Sequence, residues 1–284
     1  MASVMQMRRM TRLRTVLGGI ALVLPLCSPA LELRSAGILT VAVYKDFAPF
    51  SQGSASGYHG VDVALARALA KRHGLALKLL PFDAGENMAA DLRNMVWRGD
   101  VLHYGPADLM MHVPVDRGFR VANEQAAIFG PYYRESLVLV RDTKVLPTVR
   151  GAADLVGKFI AAEQGTAAAS ALLGAEGGAL RDKVRIAVTP EAALHLLLSG
   201  DVAAAFVTRA QAEMALRSAA NPAHYALSQL TLNGLLPGGW VVGMAVKAGN
   251  ADLAAQLAAA LEALRSSGEL KGIFAGEGLT LVGP

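Results

Sequence analysis

The side chains that could do acid–base or metal chemistry in this 284-residue chain are six histidines and a series of acids from Glu86 to Asp116. General acid–base catalysis needs titratable groups held at one reacting centre, and a metal site needs three or four ligands at turn or helix spacing. Neither pattern forms. Glu86, Asp91, Asp100, Asp108 and Asp116 fix no carboxylate pair, so they are expected to be solvated or to cap helices. No GxSxG elbow, HExxH pair or P-loop occurs, and no dinucleotide fingerprint follows the first strand. His73 and His103 sit beside Gly74 and Tyr104 in loops, and His195 on an apolar helix reads as a hydrogen-bonded boundary residue. His112 differs, because in Asp108–Asp116 (DLMMHVPVD) a strand runs straight into a proline turn. Strand ends in open α/β sheets face the ligand crevice, so His112 is a cleft candidate rather than a metal ligand. No catalytic residue, metal or cofactor is expected, and the chain does not read as an enzyme.

The elements that must position these residues alternate. Leu39–Tyr44 is a compact apolar strand, and Gly60–His73 carries Val61, Leu65 and Leu69 on one helical face before Gly74 stops it. Ala76–Pro81 completes a βαβ unit, which points to a parallel sheet covered by helices. A short helix over 91–97, a strand over 107–113 and a strand over 136–140 follow. A second set then begins. Strands are expected at 159–162, 184–188, 203–207 and 241–246, with helices opening at Gly165–Thr166 and spanning 191–198, 209–217, 253–265 and 269–274. The pattern is α/β with two βα-rich lobes and a break near 136–147.

Residues 1–30 read as a secretory leader. Arg8, Arg9, Arg12 and Arg14 precede the apolar run 16–26, which is too short to span a bilayer, and Ser28-Pro29-Ala30 offers a cleavage site. Those four arginines, with no acid among them, account for the whole net charge of +4. The remaining 254 residues are neutral and carry no cysteine, since Cys27 is the single one. No basic field remains to draw nucleic acid, disulfides are excluded, and no second segment could span a membrane. A soluble periplasmic protein is expected.

Several phrases, taken in order, resemble the family 3 periplasmic solute-binding proteins over nearly the whole exported chain. They are LTVAVYKDFAPF (39–50), GYHGVDVALARAL (57–69), FGPYY (129–133), DLVGKFIAAEQGT (154–166), LSGDVAAAFV (198–207) and GMAVKAG (243–249). Val61 and Ala64 depart from the family pattern. The resemblance implies a two-lobed periplasmic-binding-protein fold (type II), each lobe a mixed, mostly parallel sheet flanked by helices. Lobe one would comprise 31–136 plus 236–284 and lobe two 137–235, with a ligand enclosed between them by hinge closure. It also implies cleft residues: Phe47, Phe50, Tyr132 and Tyr133 as apolar walls, and Gln164, Gly165 and Thr166 at a helix N-terminus whose N–H groups suit an anion. Amino-acid receptors of this family use an arginine for the ligand carboxylate and an aspartate for its ammonium. Arg117 falls too early for the first, and neutral Thr208 stands at the place of the second. A standard amino-acid receptor is therefore disfavoured.

Two longer phrases, Glu86–Gly99 (ENMAADLRNMVWRG) and Tyr104–Asp116 (YGPADLMMHVPVD), resemble the J-type proteins of methanol oxidation, the MxaJ/XoxJ-like group. His103 and Gly118 depart from that pattern. The likeness implies an accessory partner of a PQQ-dependent alcohol dehydrogenase, holding a protein segment or small ligand in the interlobe cleft. Met88, Met95, Met110 and Met111 would suit an adaptable contact surface, or equally a core. The alternative is the receptor of an ABC transporter for a small organic acid or amino-acid-like solute.

Overall fold

The computed structural model describes residues 32–99 and 105–284. The expected leader at 1–30 with Cys27, and the candidates Asp100 and His103, lie outside the described residues. In chain order the first half contains β1 (Ile38–Tyr44), β2 (Asp46–Phe47), β3 (Ser51–Ser54), β4 (Gly57–His59), α1 (Val61–Arg72) and β5 (Ala76–Phe82). It continues with α2 (Met88–Leu92), β6 (Leu109–Pro114), α3 (Arg117–Ala122) and β7 (Ala126–Glu135). Next come β8 (Leu137–Asp142), β9 (Ile160–Glu163), α4 (Ala167–Gly174), β10 (Val184–Ala187), α5 (Pro190–Leu198), β11 (Ala204–Thr208), α6 (Arg209–Arg217) and β12 (Tyr225–Ser228). The chain ends with β13 (Trp240–Lys247), α7 (Ala251–Ser266) and α8 (Glu269–Gly276).

Two five-stranded sheets result, ordered β5-β1-β6-β13-β7 and β10-β9-β11-β8-β12. Each is mixed. In the first sheet β1 pairs in parallel with β5 and β6, while β13 runs antiparallel to β6 and β7. The second repeats this arrangement, with β9 parallel to β10 and β11 and with β8 antiparallel to β11 and β12. The chain passes between the sheets twice, at Glu135–Leu137 and between β12 and β13. These two passages are adjacent, because Trp240 pairs with Glu135.

Period-two alternation explains how each sheet buries both faces. On β1, Leu39, Val41 and Val43 enter the core under α1 and α7, whereas Ala42 enters a second core with Phe82, Leu92 and Met110. On β11, Phe206 packs with Leu172 and Leu180, and Val207 with Leu194 and Leu197 on the other face. Full burial of each such side chain contributes roughly 1.5–3 kcal/mol.

The strand β7, the small β2–β4 sheet, α3 and β12 were not visible in the sequence pattern. In β7 the reason is Gly130-Pro131, two residues that read as breakers. The structure accommodates them in an irregularity: Val242 pairs with Tyr133 but Met244 pairs with Phe129, and Gly130 takes φ +58°. Two of the acids expected to be solvated or to cap helices are instead buried acceptors. Asp108 accepts from the N–H groups of Arg34 and Thr40, both at 2.8 Å, and Asp91 accepts from the Tyr44 hydroxyl at 2.9 Å. Asp116 does cap α3, accepting from Phe119 N–H. Met95, Met110 and Met111 are core residues, so the adaptable methionine surface is absent there. Among the described residues, no helix is long and apolar enough to cross a membrane.

Candidate functional site

Two local irregularities bring polar side chains together at the end of the first sheet. Between its pairings with Gly243 and Ala245, β6 contains one extra residue, and His112 there adopts φ 59°. A non-glycine residue in the left-handed region is strained, and a bulge of this kind re-aims a side chain. The imidazole is thereby packed against the rings of Phe47 and Phe50, at centroid distances of 4.7 and 4.3 Å. Its Nδ1 lies 3.2 Å from Asp62 Oδ2, and the Tyr132 hydroxyl donates to Asp62 Oδ1 at 2.6 Å. All three residues are buried. Burial, together with the charge of Asp62, raises the Tyr132 hydroxyl well above its ordinary range. Asp62 was missed at first, although it shares the apolar stripe of α1 with Leu65, Ala66 and Leu69. An acid on such a stripe must find a buried partner.

A cavity of about 500 Å³ opens beside this network and takes its walls from both sheets. The lobe of the first sheet supplies Tyr44, Phe47, Phe50, His112 and Trp240, and the lobe of the second supplies Thr166, Ala167, Phe206 and Thr208. Of the residues singled out in the sequence, Phe47, Phe50, His112, Thr166 and Thr208 line it together. Tyr132, Gln164 and Gly165 do not. Tyr132 and its neighbour Tyr133 are fully buried core side chains, while Gln164 and Gly165 are exposed in the turn before α4. The Thr166 and Thr208 hydroxyls are occupied as helix caps, accepting from the N–H groups of Ala169 and Gln211. No free serine or cysteine nucleophile lies among the lining residues.

The cavity also contains two carboxylates that sequence reasoning missed, Glu135 and Glu163. Glu135 ends β7 at the first passage between sheets and is 1% exposed. Its Oε1 accepts from Ser136 N–H at 2.8 Å; its Oε2 makes no hydrogen bond of normal geometry, although the N–H groups of Arg209 and Ala210 at the start of α6 favour the charged form. Burial pushes its carboxyl up to about 7, opposed in part by the N–H of Ser136, by His112 and by the backbone N–H groups opening α6. Burial and the nearby Glu191 also raise Glu163. The signal for Glu135 was half hidden: an acid stands directly before the apolar strand expected at 136–140, but the strand it ends is masked in sequence by Gly130-Pro131. No lysine or arginine lines the cavity among the described residues. Its ionisable groups are therefore mostly acidic: Glu135 and Glu163 are available for a cation, and the one basic side chain among the described lining residues, His112, is already turned to Asp62. Among the described residues no cluster of three or more potential metal ligands occurs.

No protein-family model matches the chain, and no curated protein matches its sequence. Solved structures do. An ancestral cationic amino-acid solute-binding protein superposes with TM-score 0.67 at 18% identity, over 85% of this chain and 96% of that one. A polar amino-acid ABC uptake transporter substrate-binding protein from Streptococcus thermophilus gives 0.65 at 21% identity, covering 87% and 88%. The second substrate-binding domain of GlnP from Lactococcus lactis, in an open conformation, gives 0.62 at 22% identity, covering 88% and 98%. The chain has the two-lobed α/β fold that these binding proteins share.

Proposed function

We propose that this chain is a non-enzymatic, exported solute-binding protein that encloses a small, mainly apolar solute between its two sheets, as the receptor of an ABC transporter does. The observation that carries this reading is the cavity with walls from both halves of the molecule. A volume of about 500 Å³ suits a small organic guest, and aromatic walls with a few polar groups are the usual composition of such sites. The double passage at Glu135–Leu137 and before Trp240 supplies two short connections about which residues 31–136 plus 236–284 could close on 137–235. The three solved structures described above are named as solute- or substrate-binding proteins or domains, one of them of an ABC uptake transporter, which supports the same reading. An accessory role beside a PQQ-dependent alcohol dehydrogenase draws on the phrases at 86–99 and 104–116 alone. Met95, Met110 and Met111 are core residues, so of the four methionines only Met88 lines the cavity and offers contact surface for that role.

A thermal-shift screen against amines, amino acids, small acids and neutral aromatics tests the proposal. A solute at a hundred times its Kd stabilises the folded state by about 2.7 kcal/mol, which for a chain of this size raises the melting temperature by roughly 5–10 °C. At least one class should do so. A screen without any shift, together with capture of a dehydrogenase from periplasmic extract, would replace the receptor reading with the accessory one.

A further inference from the structure

Resting on the solute-binding reading, we infer that the cavity selects an organic amine without a carboxylate, its cationic nitrogen held by Glu135 and its apolar body by the surrounding rings. The orphaned Oε2 of a side chain 1% exposed is the first support. A buried polar atom without a partner is costly, and a guest bearing N–H donors removes that cost. Glu135 is itself a lining residue, so a guest's N–H groups approach that carboxylate from the cavity. The second support is independent. Phe47, Phe50, Tyr44 and Trp240 line the same space, and aromatic faces attract a cation within about 6 Å. The third is what the walls lack: among the described residues no lysine or arginine lines them and His112 is engaged by Asp62, so a zwitterion would bury its carboxylate against Glu135 and Glu163 without a free cationic partner. The deprotonated carboxyl is the form that pairs with a cation, and ammonium binding displaces any proton it carries.

Four probes with one phenyl body separate the possibilities: phenethylamine, phenylalanine, 3-phenylpropionate and 2-phenylethanol, each titrated calorimetrically at pH 8. Phenethylamine should bind at least tenfold more tightly than phenylalanine or 2-phenylethanol, and 3-phenylpropionate should not bind. Glu135→Gln should weaken phenethylamine at least tenfold, and Glu163→Gln should weaken it less. Matching circular dichroism and melting of Glu135→Gln and wild type at pH 5 shows that the variant is folded. If phenylalanine or 3-phenylpropionate binds as tightly as the amine, or if Glu135→Gln changes nothing, the amine assignment is overturned while the receptor reading stands. An equal or larger loss in Glu163→Gln overturns the role of Glu135. If none of the four binds, the amine class is wrong, and a blank thermal-shift screen with capture of a dehydrogenase would remove the receptor reading as well.

Discussion

Glu135 and Asp62 are both buried carboxylates, yet they meet opposite fates. Asp62 accepts from Tyr132 and sits against His112, so its burial is compensated. Glu135 has one oxygen bonded to Ser136 N–H and one that only the N–H groups opening α6 relieve, and burial raises its carboxyl from 4.5 to about 7. For a carboxyl raised on folding, the stabilising contribution is fully present below pH 4.5 and is lost as pH rises through 7. Wild type should therefore lose about 3 kcal/mol relative to Glu135→Gln between pH 4.5 and pH 8, measured by urea denaturation at both ends. Identical pH profiles would show that Glu135 is not buried as described. Asp62→Ala leaves the Tyr132 hydroxyl and His112 without their shared acceptor. It should cost about 3 kcal/mol, seen as a melting point lower by roughly 6–12 °C. A loss below about 1 kcal/mol would mean that the network carries little.

The elements obey periodicity wherever nothing interrupts it. The helices α1, α5, α6 and α7 and the strands β1, β5, β9, β11 and β13 were all legible to within a few residues, because an unbroken apolar stripe or run leaves one solution. β7 was not legible, because Gly130-Pro131 resembles a turn until β13 is seen pairing on both sides of it. The site divided in the same way. Phe47, Phe50, His112, Thr166 and Thr208 stood in phrases with a recognisable end of strand or start of helix, whereas Glu135, Glu163 and Trp240 gain their meaning from which strands become neighbours. The passage between sheets also depends on a glycine. A Cβ on Gly239, at φ +77°, would fall 1.9 Å from the carbonyl oxygen of Glu135, an overlap that only backbone movement can relieve. Gly239→Ala should destabilise the protein by more than about 2 kcal/mol and displace Glu135, weakening phenethylamine binding in the fraction that folds. Gly249→Ala, with open space around its Cβ, is the control and should change stability by less than about 1 kcal/mol.

At the scale of the whole molecule, the fold alone does not dictate a guest, since one scaffold serves many ligands. The proposed role as a receptor for an apolar cation rests on a conjunction: rings from the lobe of the first sheet, a helix start from the other lobe and an acid at the strand that joins them. Ala167 offers direct access to that conjunction. It is exposed at the first position of α4 and faces the cavity, so a tryptophan there can fill the space without entering either core. The decisive measurement is a calorimetric titration of phenethylamine into wild type and Ala167→Trp, with melting temperatures taken in parallel. The expected result is saturable binding to wild type and at least a tenfold loss in the variant, at a melting temperature within about 3 °C. Equal affinity in the two proteins would place the guest elsewhere and contradict the central claim.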